Sequence, residues 1–280
     1  VQVDEIGGAV LKQQIEDLGI GVHTGKSTTE IVGDEGGRVQ KLEFADGTEL
    51  AADIIVFSAG IRPQDELARQ SGLTVGERGG IAIDDYCQTS DPDVYAIGEC
   101  ALYDNRIYGL VAPGYRMAEV LADRLCGTES RFTGADMSTK LKLLGIDVAS
   151  FGDGFGTTAG SKVIAINDAV AGTYKKLVVD AEGKYLLGGI LVGDATVYGT
   201  LLQLMQNQMA LPPHPEDLIL PPRSGATMAM GVEQFPDTAQ ICSCNNVTKG
   251  QICTAIQEQE LRHIGSRSEE RRVGKECTCR

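Results

Sequence analysis

The chain has 280 residues, enough for about two domains, and its 42% apolar and 23% charged residues are the ordinary balance of a protein that buries a sizeable core. Its 25 basic against 39 acidic residues leave a net charge of −14, which argues against nucleic acid or an anionic membrane surface as partner. No apolar run reaches the roughly 18 residues of a transmembrane helix, and 35 glycines without a triplet period exclude collagen and predict many tight turns.

Residues 8–18 place Val10, Leu11, Ile15 and Leu18 on one helical face, with Gly19 as the stop. The period then shifts to two, predicting strands at Thr28–Val32, Val39–Phe44 and Leu50–Ala52, separated by Gly36-Gly37 and Asp46-Gly47. Ile54-Ile55-Val56-Phe57 is a short continuous apolar run, which predicts a strand buried on both faces. A helix is expected over Glu66–Gln70, a strand pair at Ile81–Ile83 and Val94–Ile97, and a helix from near Pro113 to about Leu125 with Gly127 past its end. Further strands are expected at Val148–Phe151, Lys162–Ile166, Lys176–Val179 and Tyr185–Leu191, and a helix at Ala195–Met209. Leu211–Arg223 holds five of the nine prolines and reads as an extended linker to a small cysteine-bearing piece.

The chain begins at Val1 without an initiator Met or a leader segment, so the expectation is a start inside a domain and a cytoplasmic location. From about Gly265 the string RSEERRVGKEC resembles translated sequencing-adaptor read-through, and residues 265–280 are expected to be non-native. Of the eight cysteines, Cys87, Cys100 and Cys126 are scattered, which predicts buried or incidental thiols rather than a disulfide scaffold. Cys242, Cys244, Cys253, Cys277 and Cys279 crowd the C-terminal fifth, as a metal site requires, with free thiols or a zinc site as the alternative for the first pair.

Two glycine loops imitate phosphate sites. Gly21-Val-His-Thr-Gly25-Lys26-Ser27 is one residue short of a P-loop and follows a helix. Gly154-Phe-Gly156-Thr-Thr-Ala159 is followed by a β-branched run rather than a helix that could hold a pyrophosphate. Both are read as turns. The stretch from Thr89 to Cys100 (TSDPDVYAIGEC) is sharper. A strand ending in Gly98 and Glu99 lets backbone approach a sugar–phosphate chain closely and offers a carboxylate to hydroxyls.

That stretch resembles the second FAD motif of the pyridine-nucleotide–disulfide oxidoreductases. Ser58-Ala59-Gly60-Ile61-Arg62-Pro63 resembles their crossover from the NAD domain to the FAD domain. Tyr108-Gly109-Leu110-Val111-Ala112-Pro113-Gly114-Tyr115 sits where they aim a helix N-terminus at the flavin. With Ser138–Asp153 and Ile241–Cys253, the chain resembles the large-subunit family of assimilatory NAD(P)H-dependent nitrite reductases as an internal fragment.

The resemblance implies an α/β fold: the C-terminal part of a two-dinucleotide-binding-domain flavoprotein, a small α+β domain and the start of a small helical [2Fe–2S] domain. The implied boundaries are 1–62 for the NAD(P) domain, 63–135 for the FAD domain and 136–210 for the α+β domain. A linker at 211–237 and the cluster domain at 238–264 follow. It implies FAD and NAD(P)H as cofactors, with Gly60, Pro63, Gly98, Glu99, Leu110, Val111, Ala112, Pro113 and Tyr115 at the flavin.

Cys242 and Cys244 would supply two of the four thiolates of a [2Fe–2S] cluster. The family's other pair is C-x-x-C, whereas this sequence has Cys277-Thr-Cys279 within the tail. Electrons would go on to siroheme and [4Fe–4S] centres absent from this chain, so the missing half or a small subunit is the expected partner and a homodimer a further one. A fragment without those centres is expected to be inactive alone. The competing readings are a stand-alone FAD/[2Fe–2S] reductase, such as a nitrate reductase electron-transfer subunit, and a metal-docking module without catalysis.

Overall fold

The structure, a computed structural model, describes residues 2–220, 233, 235–242 and 247–260. They divide into two units, the described parts of Val1–Leu11 with Ser138–Arg280 and, separately, Lys12–Met137.

In the order of the chain, helix α1 spans Glu5–Asp17, and Gly19 ends it at φ +82° as the pattern predicts. Strands β1 (Thr28–Gly33), β2 (Val39–Phe44) and β3 (Glu49–Ala51) form an antiparallel meander whose second turn is Asp46-Gly47. Helix α2 (Glu66–Gln70) leads to β4 (Ile81–Ile83), which pairs in parallel with β5 (Ala101–Tyr103). A tight hairpin with Asp104 and Asn105 at positive φ then returns β6 (Arg106–Ile107) onto β5. Helix α3 (Val111–Leu125) closes this unit over a core of Cys87, Ala96, Ala101, Tyr108, Met117, Val120 and Phe132. Phe132 packs edge-on to Tyr103 and Tyr108, with ring centroids 5.0 and 5.6 Å away.

The other unit is an antiparallel sheet of β7 (Thr139–Leu143), β8 (Ile146–Gly152), β9 (Lys162–Asp168), β10 (Thr173–Val179) and β11 (Leu186–Gly193), in the order β7-β8-β11-β10-β9. Period-two alternation splits its side chains between two faces. Ala149, Phe151, Leu177 and Leu191 pack against Leu201 and Leu204 of α4 (Tyr198–Gln206), while Val148, Tyr174 and Val192 occupy one cross-strand row of the other face. Gly188, opposite Gly152, has no room for a side chain. A Cβ there would stand 2.6 Å from the Phe151 carbonyl oxygen and closer still to the Asp153 backbone. Gly188→Ala is therefore expected to cost about 3 kcal/mol or more, read as a lower urea midpoint with an unchanged m-value.

Both central lysines of β10 are buried, and each has its own carboxylate. Lys175 reaches Asp194 at 2.6 Å, and on the opposite face Lys176 reaches Asp4 at 3.0 Å. Burial alone would raise the Asp194 carboxyl, but the Lys175 ammonium and the Thr196 N–H and hydroxyl outweigh it and hold the group down to about 2. Its contribution to stability is thus complete above the unfolded value near 4 and fades as the pH falls toward 2.

Three expectations need correction. Ile54–Phe57 is not a strand, and Ile54, Val56 and Phe57 are 81%, 83% and 77% exposed. A strand buried on both faces needs hydrogen-bonded neighbours and cover above and below, and the described residues supply neither. Val94–Ile97 makes only an isolated bridge, Gln88 to Tyr95, because its chain turns into the 3-10 turn at Gly98. Residues 211–220 do not run free: Pro215–Leu218 form a 3-10 turn, and Leu218 and Ile219 are buried with Phe235 and Ala239. The prolines restrict the backbone, but the burial of these two side chains decides where it lies. Beyond it lie β12 (Gln240–Cys242), β13 (Val247–Thr248) and α5 (Lys249–Glu258), whose start is a capping box between Thr248 and Gln251.

Candidate functional site

The sequence places two glycines, a carboxylate and a helix N-terminus within 18 positions, and the fold of unit 12–137 brings them into contact. Gly98 opens the 3-10 turn Gly98–Cys100 at φ +80°, a conformation that costs a residue with a Cβ. Gly114 lies in the first turn of α3, where an added Cβ would stand 3.2 Å from the Gly98 Cα. The two backbones therefore touch because neither carries a side chain. The Gly98 N–H donates to the Met117 sulfur at 3.3 Å, and the Cys87 thiol donates to the Met117 carbonyl at 3.7 Å.

The rim is open. Glu99 is exposed, and its carboxylate has no ion pair or hydrogen bond among the described residues. The first turn of α3 follows extended Leu110, which has no polar side chain to cap it. Its first backbone N–H groups have no intrahelical partner and share the positive end of the helix dipole, which favours an electron-rich group. Pro113, buried at the third helical position, lacks the N–H that would be unsatisfied there. Val111 and Tyr115 flank this end, 66% and 67% exposed. The segment containing Gly60 (φ +85°) comes alongside: Ile61 would touch a Cβ on Gly109 at 3.6 Å, and Pro63 lies under Gly79.

Of the residues singled out from sequence, Gly98, Glu99 and 110–115 thus form one surface, with 60–63 approaching it through Gly109. Met117 was not singled out. Its signal is its place four residues after Pro113, on the buried face of α3.

The phosphate-loop imitations are occupied by their own side chains. Asp153 accepts from the N–H groups of Gly156, Thr157 and Thr158 at 2.7–2.9 Å, leaving that loop nothing to offer a phosphate. Lys26 is held by Asp46 and, at 2.7 Å, by the Thr48 hydroxyl.

Cys87 is fully buried, and desolvation, with Asp84 adding to it, pushes its thiol up to about 11. It is expected to resist a disulfide reagent at pH 8 until the protein unfolds, whereas exposed Cys126 reacts at once, as thiol titration with and without denaturant would read. Cys242 lies in β12, Cys253 on α5, and Cys244, Cys277 and Cys279 fall outside the described residues. No group of three potential metal ligands occurs among the described residues, and none of their helices is long and apolar enough to cross a membrane.

Residues 2–118 match the pyridine nucleotide-disulphide oxidoreductase family, and residues 138–209 match the rubredoxin NAD+ reductase C-terminal domain. A ferredoxin reductase from Rhodopseudomonas palustris superposes with a TM-score of 0.63 at 25% identity, over 77% of this chain and 52% of that one. The class is thereby defined as flavoprotein reductases that use FAD and NAD(P)H. The nitrite reductase [NAD(P)H] large subunit of Klebsiella oxytoca is 62% identical over 91% of the chain, and the nitrite reductase (NADH) large subunit of Escherichia coli K12 is 54% identical over 92%. Within the class, the chain belongs to the nitrite reductase large-subunit family, spanning 27% and 30% of those two relatives.

Proposed function

We propose that this chain is the flavin-binding electron-transfer module of an assimilatory nitrite reductase. In this reading it takes reducing equivalents from NAD(P)H and delivers them through a [2Fe–2S] cluster toward siroheme and [4Fe–4S] centres carried elsewhere in the protein. The observation that carries the reading is the Gly98–Gly114 contact, a cradle a Cβ would fill, set beside an unpartnered carboxylate and an uncapped helix start.

Those groups fit a dinucleotide. FAD, when bound, accepts two electrons as hydride and releases them one at a time. Gly98 would allow close approach of its ribitol and pyrophosphate, and Glu99 would accept hydrogen bonds from hydroxyls. The first turn of α3, from Leu110 through Val111, Ala112 and Pro113 to Tyr115, would lay backbone donors and dipole along the flavin edge. Gly60 and Pro63 would carry the crossover between residues 1–62 as nicotinamide domain and 63–135 as flavin domain. Residues 136–210 and 238–264 would be the α+β and cluster domains, joined by 211–237, of which Leu218 and Ile219 are buried in the core of the former.

Cys242 and Cys244 would give half of the cluster's thiolates. Because only Cys242 lies among the described residues, this part of the reading rests on sequence. The protein would work in the cytoplasm, with the siroheme half or a small subunit as partner and a homodimer as its assembly.

The test is cofactor analysis of the full-length protein, with anaerobic addition of NADH or NADPH. One FAD per chain, bleached by either nucleotide, with iron and siroheme present, is the expected result. Flavin and iron without siroheme would make it a stand-alone reductase, and metal without flavin would leave only a docking module.

A further inference from the structure

We propose that Met117 is a positioning residue for the flavin site, an inference that rests on the reading of Gly98 and Glu99 as flavin contacts. Met117 is fully buried on the inner face of α3, and its thioether sulfur accepts the N–H of Gly98 at 3.3 Å. This bond has two consequences. The Gly98 N–H is spent inside the protein, so the glycine serves a ligand by its bare Cα and not as a donor. The Ile97–Gly98 peptide is also fixed in its tilt, and this peptide is where the chain leaves the extended conformation for positive φ.

The direction in which Glu99 leaves the turn follows from that tilt. So does the separation between the Gly98 Cα and the first turn of α3, where a Cβ on Gly114 would stand only 3.2 Å away. Met117 is itself held at a second point, since its carbonyl accepts the Cys87 thiol. A leucine of similar volume would fill the same space in the core of Phe132, Val120 and Tyr108 but could not accept the bond. Packing and positioning can therefore be separated.

The experiment compares the full-length wild type with Met117→Leu, measuring FAD dissociation by the fluorescence of released flavin, the visible circular dichroism of bound flavin, and the melting temperature of the flavin-free protein. The expected result for the variant is roughly tenfold weaker FAD retention, as the turn at Gly98 loses its fixed tilt, and an altered flavin dichroism, with little change in the apoprotein melting temperature because a bond to a thioether is weak. Selenomethionine, which keeps a chalcogen acceptor, is expected to retain wild-type affinity.

Wild-type FAD affinity and dichroism in the leucine variant would overturn the proposal, as would a loss of affinity matched by a fall in the apoprotein melting temperature. If the leucine variant does not fold, norleucine against selenomethionine at every methionine makes the same comparison, and equal affinity there overturns it. A wild-type protein that holds no FAD would instead defeat the reading of the site itself.

Discussion

Replacing Asp4 with Ala is expected to cost about 3–5 kcal/mol of stability, the range for removing one partner of a buried ion pair. The Asp4 carboxylate accepts from the N–H of Gly7 at 3.0 Å, capping α1, and from the Tyr174 hydroxyl at 2.9 Å and the Lys176 ammonium at 3.0 Å. Lys176 is 7% exposed, so the Ala variant leaves a buried cation without its counter-ion. Denaturant unfolding should show the full loss in Asp4→Ala and a smaller one in Asp4→Asn, which keeps an acceptor for the cap. Combining Asp4→Ala with Lys176→Met should recover much of the loss, because the stranded charge is gone.

The acid limb carries the same signature. Burial would raise the Asp4 carboxyl, but the Gly7 N–H, Lys176 and Tyr174 together hold it below the ordinary value. A depressed carboxyl contributes fully above its unfolded value near 4 and less at each step below it. Asp4→Asn should thus flatten the fall in stability below about pH 4. An unaltered acid limb would show that the capped pair contributes nothing there.

The second large effect separates stability from flavin binding. Gly114→Ala puts a better helix former into α3, worth up to about 1 kcal/mol in its favour, yet drives a Cβ to 3.2 Å from the Gly98 Cα. The expected result is an apoprotein as stable as wild type or nearly so, with FAD retention weakened roughly tenfold as the turn at Gly98 is pushed from the helix start. Gly114→Val should abolish retention. Gly98→Ala should cost about 1–2 kcal/mol through its positive φ and also lose flavin. Equilibrium dialysis against FAD, beside thermal unfolding of the apoproteins, checks all three. Undiminished affinity in Gly114→Ala would remove the cradle from the site.

How much of this was legible in the chain depended on the range of the forces involved. The helix at Val111–Leu125 was readable because its signals are local, Pro113 near the start and Gly127 after the end. Strands Val39–Phe44, Ile81–Ile83 and four of the five-stranded sheet were readable from period-two runs between glycine turns, whereas its edge strand Thr139–Leu143 was missed. The motif from Thr89 to Glu99 pointed to the candidate site and, with the neighbouring motifs, to the family, because glycine and carboxylate spacing is written directly in the sequence.

Other features required the fold. Ile54–Phe57 looked like a buried strand because its composition is apolar, but burial belongs to neighbours, and the described residues leave it exposed. The proline-rich run looked like a linker, but Leu218 and Ile219 found a hydrophobic core to enter. No local pattern could pair Asp4 with Lys176, 172 residues away, or bring Met117 beneath Gly98. Sequence determined the elements and the chemistry available at the site. Tertiary structure decided which polar groups were already satisfied and which, such as Glu99 and the start of α3, remained open to a ligand, because hydrogen bonds and burial depend on what chain folding brings within a few ångströms.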